Sequence, residues 1–109
     1  MGASKTRGYT EEQIAISVLL KAMGHPARVA IIDFLLKQKA CICKDIVDEL
    51  PLSQPTISQH LSALKRAGLI QVSIEGSSLC YCLRAEGFRL ISQYMAQLSE
   101  YSFDDNKSC

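Results

Sequence analysis

A chain of 109 residues fits a single domain and leaves little room for a second. With 48% hydrophobic and 21% charged residues the composition is that of a folded globular chain, and no apolar run approaches the roughly 18–20 residues needed to cross a bilayer. A formal charge of +1 excludes binding nucleic acid through a global basic field, so any contact with DNA has to come from a local basic and polar face.

Residues 1–9 are small, polar and basic and read as a flexible N-terminal arm. Thr10 followed by Gln13 forms a capping box for a helix over residues 11–23, which carries Ile14, Val18, Leu19, Ala22 and Met23 and stops at Gly24. Pro26 suits the first position of a second helix, because its missing N–H would be unpaired there anyway. From Ala27 to Lys37 the residues are apolar on nearly every side (Val29, Ile31, Ile32, Phe34, Leu35, Leu36), which predicts a helix at the centre of the domain.

Ala40-Cys41-Ile42-Cys43 then leads into a two-turn helix with Ile46, Val47 and Leu50 on one face, ended by Pro51. Ser53 caps the next helix, Pro55 falls in its first turn, and Gly68 stops it after Ala67. Alternating segments at residues 69–74 and 79–84 flank Glu75-Gly76-Ser77-Ser78 and predict a hairpin. A last helix over residues 86–100 places Phe88, Ile91, Tyr94, Met95 and Leu98 in one stripe, with Leu90 at its edge, and residues 102–109 form a polar, flexible tail. The expected fold is mainly α with a β-hairpin wing, a winged helix-turn-helix in the order α-α-α-α-β-β-α spanning residues 10–101.

Two short helices joined by Pro51-Leu52-Ser53 have helix-turn-helix length. At about 100° per residue, Ile57, Leu61 and Leu64 must pack inward, which leaves Gln59, Ser62 and Arg66 outside with Thr56 and Ala63 beside them. This outward face is small, hydrogen-bonding and free of acid, whereas a solvated helix usually mixes Glu with Lys. Gln and Thr suit adenine edges and thymine methyls in a major groove, so Gln54, Thr56 and Gln59 are candidates for base contacts. Ser53, Ser58, Lys65 and Arg66 are placed for phosphates, and His60, at the edge of the buried arc, serves packing or a phosphate.

Five cysteines in a chain without an export leader argue for a cytoplasmic protein and against a disulfide scaffold. Cys41 and Cys43, two apart in an extended approach, present both sulfurs on one side. Cys43 beside Lys44 at a helix N-terminus favours the thiolate, a soft donor for soft ions. Cys80 and Cys82 share a face of the second strand, and Cys109 rides on the tail; each of these is equally readable as a small packing residue.

Ser53-Gln54-Pro55-Thr56-Ile57-Ser58-Gln59-His60-Leu61 with Leu64 and Ala67-Gly68-Leu69-Ile70 resembles the recognition helix of the ArsR/SmtB family of metal-responsive repressors. Ala22-Met23-Gly24-His25-Pro26-Ala27-Arg28 resembles the approach to that family's second helix, and Gly76 with Tyr81-Cys82-Leu83 its wing; the similarity spans residues 15–98. The resemblance implies a repressor of operator DNA rather than an enzyme, and a homodimer built through the first and last helices.

It also implies arsenic sensing, since arsenic-responsive members carry Cys-x-Cys at the helix that Cys43 precedes here. Two thiolates, Cys41 and Cys43, satisfy a monosubstituted trivalent arsenic such as methylarsenite. Arsenite needs a third, for which Cys80, Cys82 and Cys109 are the candidates, because Ile46 stands where some members place a third cysteine. The family's zinc site on the last helix is not available, as that helix contains no histidine. The wing departs from the pattern: Glu75 precedes Gly76, and Ser77 and Ser78, the residues placed for the DNA backbone, stand where wings often carry arginine.

Three other readings compete. The same regulator could sense thiol oxidation or persulfide through a cysteine pair. A thiol oxidoreductase would need a βαβ scaffold, for which no strand precedes the motif. A winged-helix module that docks proteins instead of DNA would suit the arginine-free wing.

Overall fold

The computed structural model describes residues 8–38, 41–42 and 50–103. Most of the N-terminal arm, Cys43, the expected two-turn helix before Leu50 and the tail with Cys109 lie outside the described residues. The rest follows the expected order: α1 (Glu11–Met23), α2 (Pro26–Gln38), α3 (Gln54–Ala67), β1 (Ile70–Glu75), β2 (Ser78–Leu83) and α4 (Ala85–Glu100).

The capping box of α1 is fully formed. The Gln13 N–H donates to Thr10 Oγ1 at 3.0 Å, and the Thr10 N–H donates to Gln13 Oε1 at 3.0 Å. α2 begins at Pro26, as its fixed φ favours, and its axis turns by 90° from that of α1. A second cap sits there that the sequence did not advertise: His25 Nδ1 accepts from the Ala27 N–H at 3.0 Å. α2 is less enclosed than its composition suggests. Ile31, Ile32 and Leu35 are buried, while Val29 and Leu36 remain exposed.

Leu19 and Ala22 of α1, these three residues of α2, and Ile57, Leu61 and Leu64 of α3 make one core with Ile42, Leu69 and Ile70. α3 starts on the Ser53 cap and ends at Gly68 (φ +85°), whose N–H reaches the carbonyls of Leu64 and Lys65. β1 and β2 pair antiparallel from Ile70 with Leu83 to Glu75 with Ser78. The loop is therefore Gly76-Ser77, with Gly76 at φ +65°, the left-handed geometry that tight hairpins demand. Each strand is offset by one residue from the expected bounds.

α4 crosses the domain at Gly87. A Cβ there would stand 2.9 Å from Leu69 Cδ2, 3.0 Å from the Gly68 carbonyl oxygen and 3.3 Å from Leu19 Cδ2. Only a bare Cα allows this approach. Phe88 and Ile91 then pack on the core, whereas Leu90, Tyr94, Met95 and Leu98 stay exposed.

Candidate nucleic-acid interface

α3 is the centre of the site. Its buried stripe fixes its rotation, so Gln54, Ser58, Gln59, Ser62, Lys65 and Arg66 are all exposed. Ser58, Gln59, Ser62 and Arg66 line one shallow groove, and no acid occurs along the helix. Thr56 is half-buried and partly engaged: its N–H meets Ser53 Oγ at 3.4 Å, and its hydroxyl accepts from Ser53 Oγ at 3.0 Å. Ser53 thus serves as cap, while Ser77 and Ser78 are exposed at the wing tip.

His60 turns toward α2. Its Nδ1 accepts from Arg28 Nε at 3.1 Å, Arg28 Nη1 donates to the Ala22 carbonyl at 3.1 Å, and the His60 and His25 rings lie 4.5 Å apart. Burial, then the nearby charge of His25 and of Arg28, lowers the His60 pKa below its ordinary 6.5. The uncharged imidazole is thereby favoured, and its contacts tie the α1–α2 corner to α3. Arg28 was not singled out from the sequence; a cation in an apolar helix one turn after His-Pro was the signal for it.

The cysteines are arranged otherwise than expected. Cys41 is disulfide-bonded to Cys82 across an antiparallel contact, with Cα atoms 4.4 Å apart. Ile42 and Tyr81 exchange both backbone hydrogen bonds, at 2.9 and 2.8 Å, so Ile42 forms an isolated antiparallel bridge to the free edge of β2. Cys41 faces Cys82 at the close spacing of a non-hydrogen-bonded pair. The expectation of free thiols is corrected here: the two cysteines are 41 residues apart in sequence, and strand pairing brings them together. Cys80, buried one pleat further along, is disulfide-bonded as well. Among the described residues no group of three or more His, Cys, Asp or Glu is arranged to hold a metal ion.

The family model for bacterial regulatory proteins of the arsR family matches residues 25–72. The arsenical resistance operon repressor of Staphylococcus xylosus is 32% identical over 78 residues, which cover 72% of this chain and 74% of that protein. The chain belongs to the arsR family of bacterial regulatory proteins. An uncharacterized HTH-type transcriptional regulator of Methanocaldococcus jannaschii is 45% identical over 60 residues, which cover 54% of this chain and 66% of that relative, just short of two thirds of its length. Among solved structures, the reduced form of HlyU from Vibrio cholerae N16961 superimposes with a TM-score of 0.64 at 25% identity, covering 93% of this chain and 100% of that one. α3 runs directly into β1 and packs beside the hairpin, in the order the arsR-family fold expects.

Proposed function

We propose that this arsR-family chain is a cytoplasmic, dimeric transcriptional repressor that holds operator DNA with the outer face of α3 and lets go when trivalent arsenicals occupy its cysteine thiolates. The observation that carries the DNA reading is the exposed, acid-free row of Gln54, Ser58, Gln59, Ser62 and Arg66 beside the hairpin. Gln54, Thr56 and Gln59 reach base edges, and Ser53, Ser58, Lys65, Arg66, Ser77 and Ser78 surround them toward the backbone, while His60, turned toward α2, backs the helix from behind. Exposed Val18 on α1 and Leu90, Tyr94, Met95 and Leu98 on α4 supply the apolar faces on which two copies pair. In such a dimer the two reading helices have to sit about 34 Å apart to meet successive turns of one groove.

Cys41 and Cys43 are the proposed arsenic ligands. The closeness of Cys41 to Cys82 supports Cys82 as the third thiolate for arsenite, since the reduced sulfurs face each other across the strand pair. Capture draws residue 41 against the wing just ahead of the helix-turn-helix and tilts α3 off register. A coupling of about 1–3 kcal/mol weakens binding 5–150-fold, so a small tilt is enough. The name of the Staphylococcus xylosus relative supports the ligand class.

The Cys41–Cys82 bond favours a second reading of the same device. Oxidation by a peroxide forms the S–S bond, the two thiols giving up two protons and two electrons while the peroxide is reduced to two waters. One gel-shift on a duplex from the chain's own promoter separates them. Reduced protein is challenged with arsenite or methylarsenite, and in parallel with peroxide plus chelator. Arsenical release that disappears in the Cys41→Ser, Cys43→Ser double variant supports the first reading. Release of wild type by peroxide alone, lost in Cys82→Ser, supports the second. A protein that never shifts the duplex overturns both.

A further inference from the structure

Arg28 is a half-buried cation that has no carboxylate partner among the described residues; the ion pair found there joins Arg84 to Glu86 at the start of α4. Its guanidinium instead links α1, α2 and α3 through neutral acceptors. Nη1 donates to the Ala22 carbonyl in the last turn of α1, and Nε donates to Nδ1 of His60 on α3. His60 stands between exposed Gln59 and buried Leu61, so whatever holds its ring also holds the turn of α3 that carries Gln59. Because Nδ1 accepts, the single proton of the neutral ring is on Nε2.

We propose that Arg28 is a positioning residue for DNA binding: through neutral His60 it fixes the orientation of α3, and protonation of His60 releases that hold. This rests on the reading of α3 as the DNA-binding helix. An imidazolium has two N–H donors and no acceptor, so its Nδ1–H would meet Arg28 Nε–H across 3.1 Å, donor against donor and cation beside cation. His25 adds to the effect. Its ring lies 4.5 Å from that of His60, and its own Nδ1 accepts from the Ala27 N–H. Protonation there places another charge in the cluster and removes the cap at the start of α2. His25 at the corner and Arg28 on α2 are the charged or titratable groups that act on His60; α1 presents a carbonyl to Arg28, and α3 carries no acid. Burial, then these two neighbours, lowers the His60 pKa in the assembled cluster. The assembled state is therefore fully favoured above the ordinary 6.5 and is lost as the pH falls from there toward the folded value. The sign sets this apart from general electrostatics, in which added positive charge strengthens the attraction to phosphates.

The test uses reduced full-length protein and a duplex selected from random sequence by the wild type at pH 7.5. Anisotropy titrations at pH 7.5 and 5.5, each at several salt concentrations, give affinity and salt slope, and circular dichroism reads folding in the same samples. Wild type is expected to bind about tenfold weaker at pH 5.5, within the limit of about tenfold per pH unit that one linked proton allows. His60→Gln, whose amide oxygen can accept from Arg28 Nε without titrating, is expected to keep most of its affinity at pH 5.5. Arg28→Met keeps the apolar stem and removes the donors. It is expected to bind about tenfold weaker at pH 7.5, with little further loss at pH 5.5 and an unchanged salt slope. Wild-type affinity that holds or rises on acidification overturns the inference, as does an equal loss in His60→Gln or a loss that only tracks unfolding. A salt slope reduced by about 1 in Arg28→Met also overturns it, because Arg28 then contacts a phosphate itself. These results leave the α3 reading intact. A wild type that selects no duplex at pH 7.5 instead removes that reading, and the positioning role with it.

Discussion

Replacing Gly87 with alanine sets two opposing effects against each other, and the packing decides the sign. In an open helix the change gains about 1 kcal/mol, from helix propensity and a stiffer unfolded chain. Here the new methyl would lie 2.9 Å from Leu69 Cδ2 and 3.0 Å from the Gly68 carbonyl. Leu69 is completely buried and Gly68 is held by the end of α3, so neither can yield by simple rotation. Overpacking of this kind costs about 1–3 kcal/mol, and with two contacts at or inside 3.0 Å the upper end applies. The net expectation is a loss of about 1–2 kcal/mol, or about 5–10 °C in Tm for a domain of this size. Thermal unfolding of reduced protein at fixed concentration measures it. Trimming the obstacle supplies the control: Leu69→Ala is itself destabilising, but in its background the added cost of Gly87→Ala should shrink. A Gly87→Ala protein as stable as wild type, or more stable, would refute the close crossing of α4.

Ser53→Ala removes the acceptor for the Thr56 N–H and frees the Thr56 hydroxyl, with an expected loss of about 1 kcal/mol by denaturant titration and weaker duplex binding in the same variant. His60 contributes a pH dependence of definite sign. Its folded pKa is lowered, so the unfolded chain binds the proton more readily; stability is complete above the ordinary value of 6.5 and falls as the pH drops from there toward the folded value. Melting curves at pH 7.5 and 5.5 should differ more for wild type than for His60→Gln. Wild-type protein treated with peroxide under chelation should lose the Cys41 and Cys82 thiols together in a thiol-labelling mass measurement, whereas Cys82→Ser should keep Cys41 reactive.

Features carried by neighbours in sequence were legible in advance. Thr10 and Gln13 announced their own capping box, Gly68 the left-handed end of α3, and Glu75-Gly76-Ser77-Ser78 the hairpin. The inward arc of Ile57, Leu61 and Leu64 set the orientation of α3, because a helix repeats its contacts every few residues. What escaped is non-local. The Cys41–Cys82 bond and the Ile42–Tyr81 bridge depend on strand pairing, and the seat of Gly87 depends on Leu69 and Leu19 arriving from elsewhere. The His25 cap and the Arg28–His60 contact were hidden for a related reason: Nδ1 and guanidinium partners are chosen by how α1, α2 and α3 meet.

Backbone and side-chain amide chemical shifts of the reduced protein, recorded as a selected duplex is added, bear most directly on whether α3 is the reading element. The largest changes should fall on Gln54, Ser58, Gln59, Ser62 and Arg66, while the α4 face at Tyr94 and Leu98 stays silent. Changes concentrated on α4 with an undisturbed α3 would contradict the account.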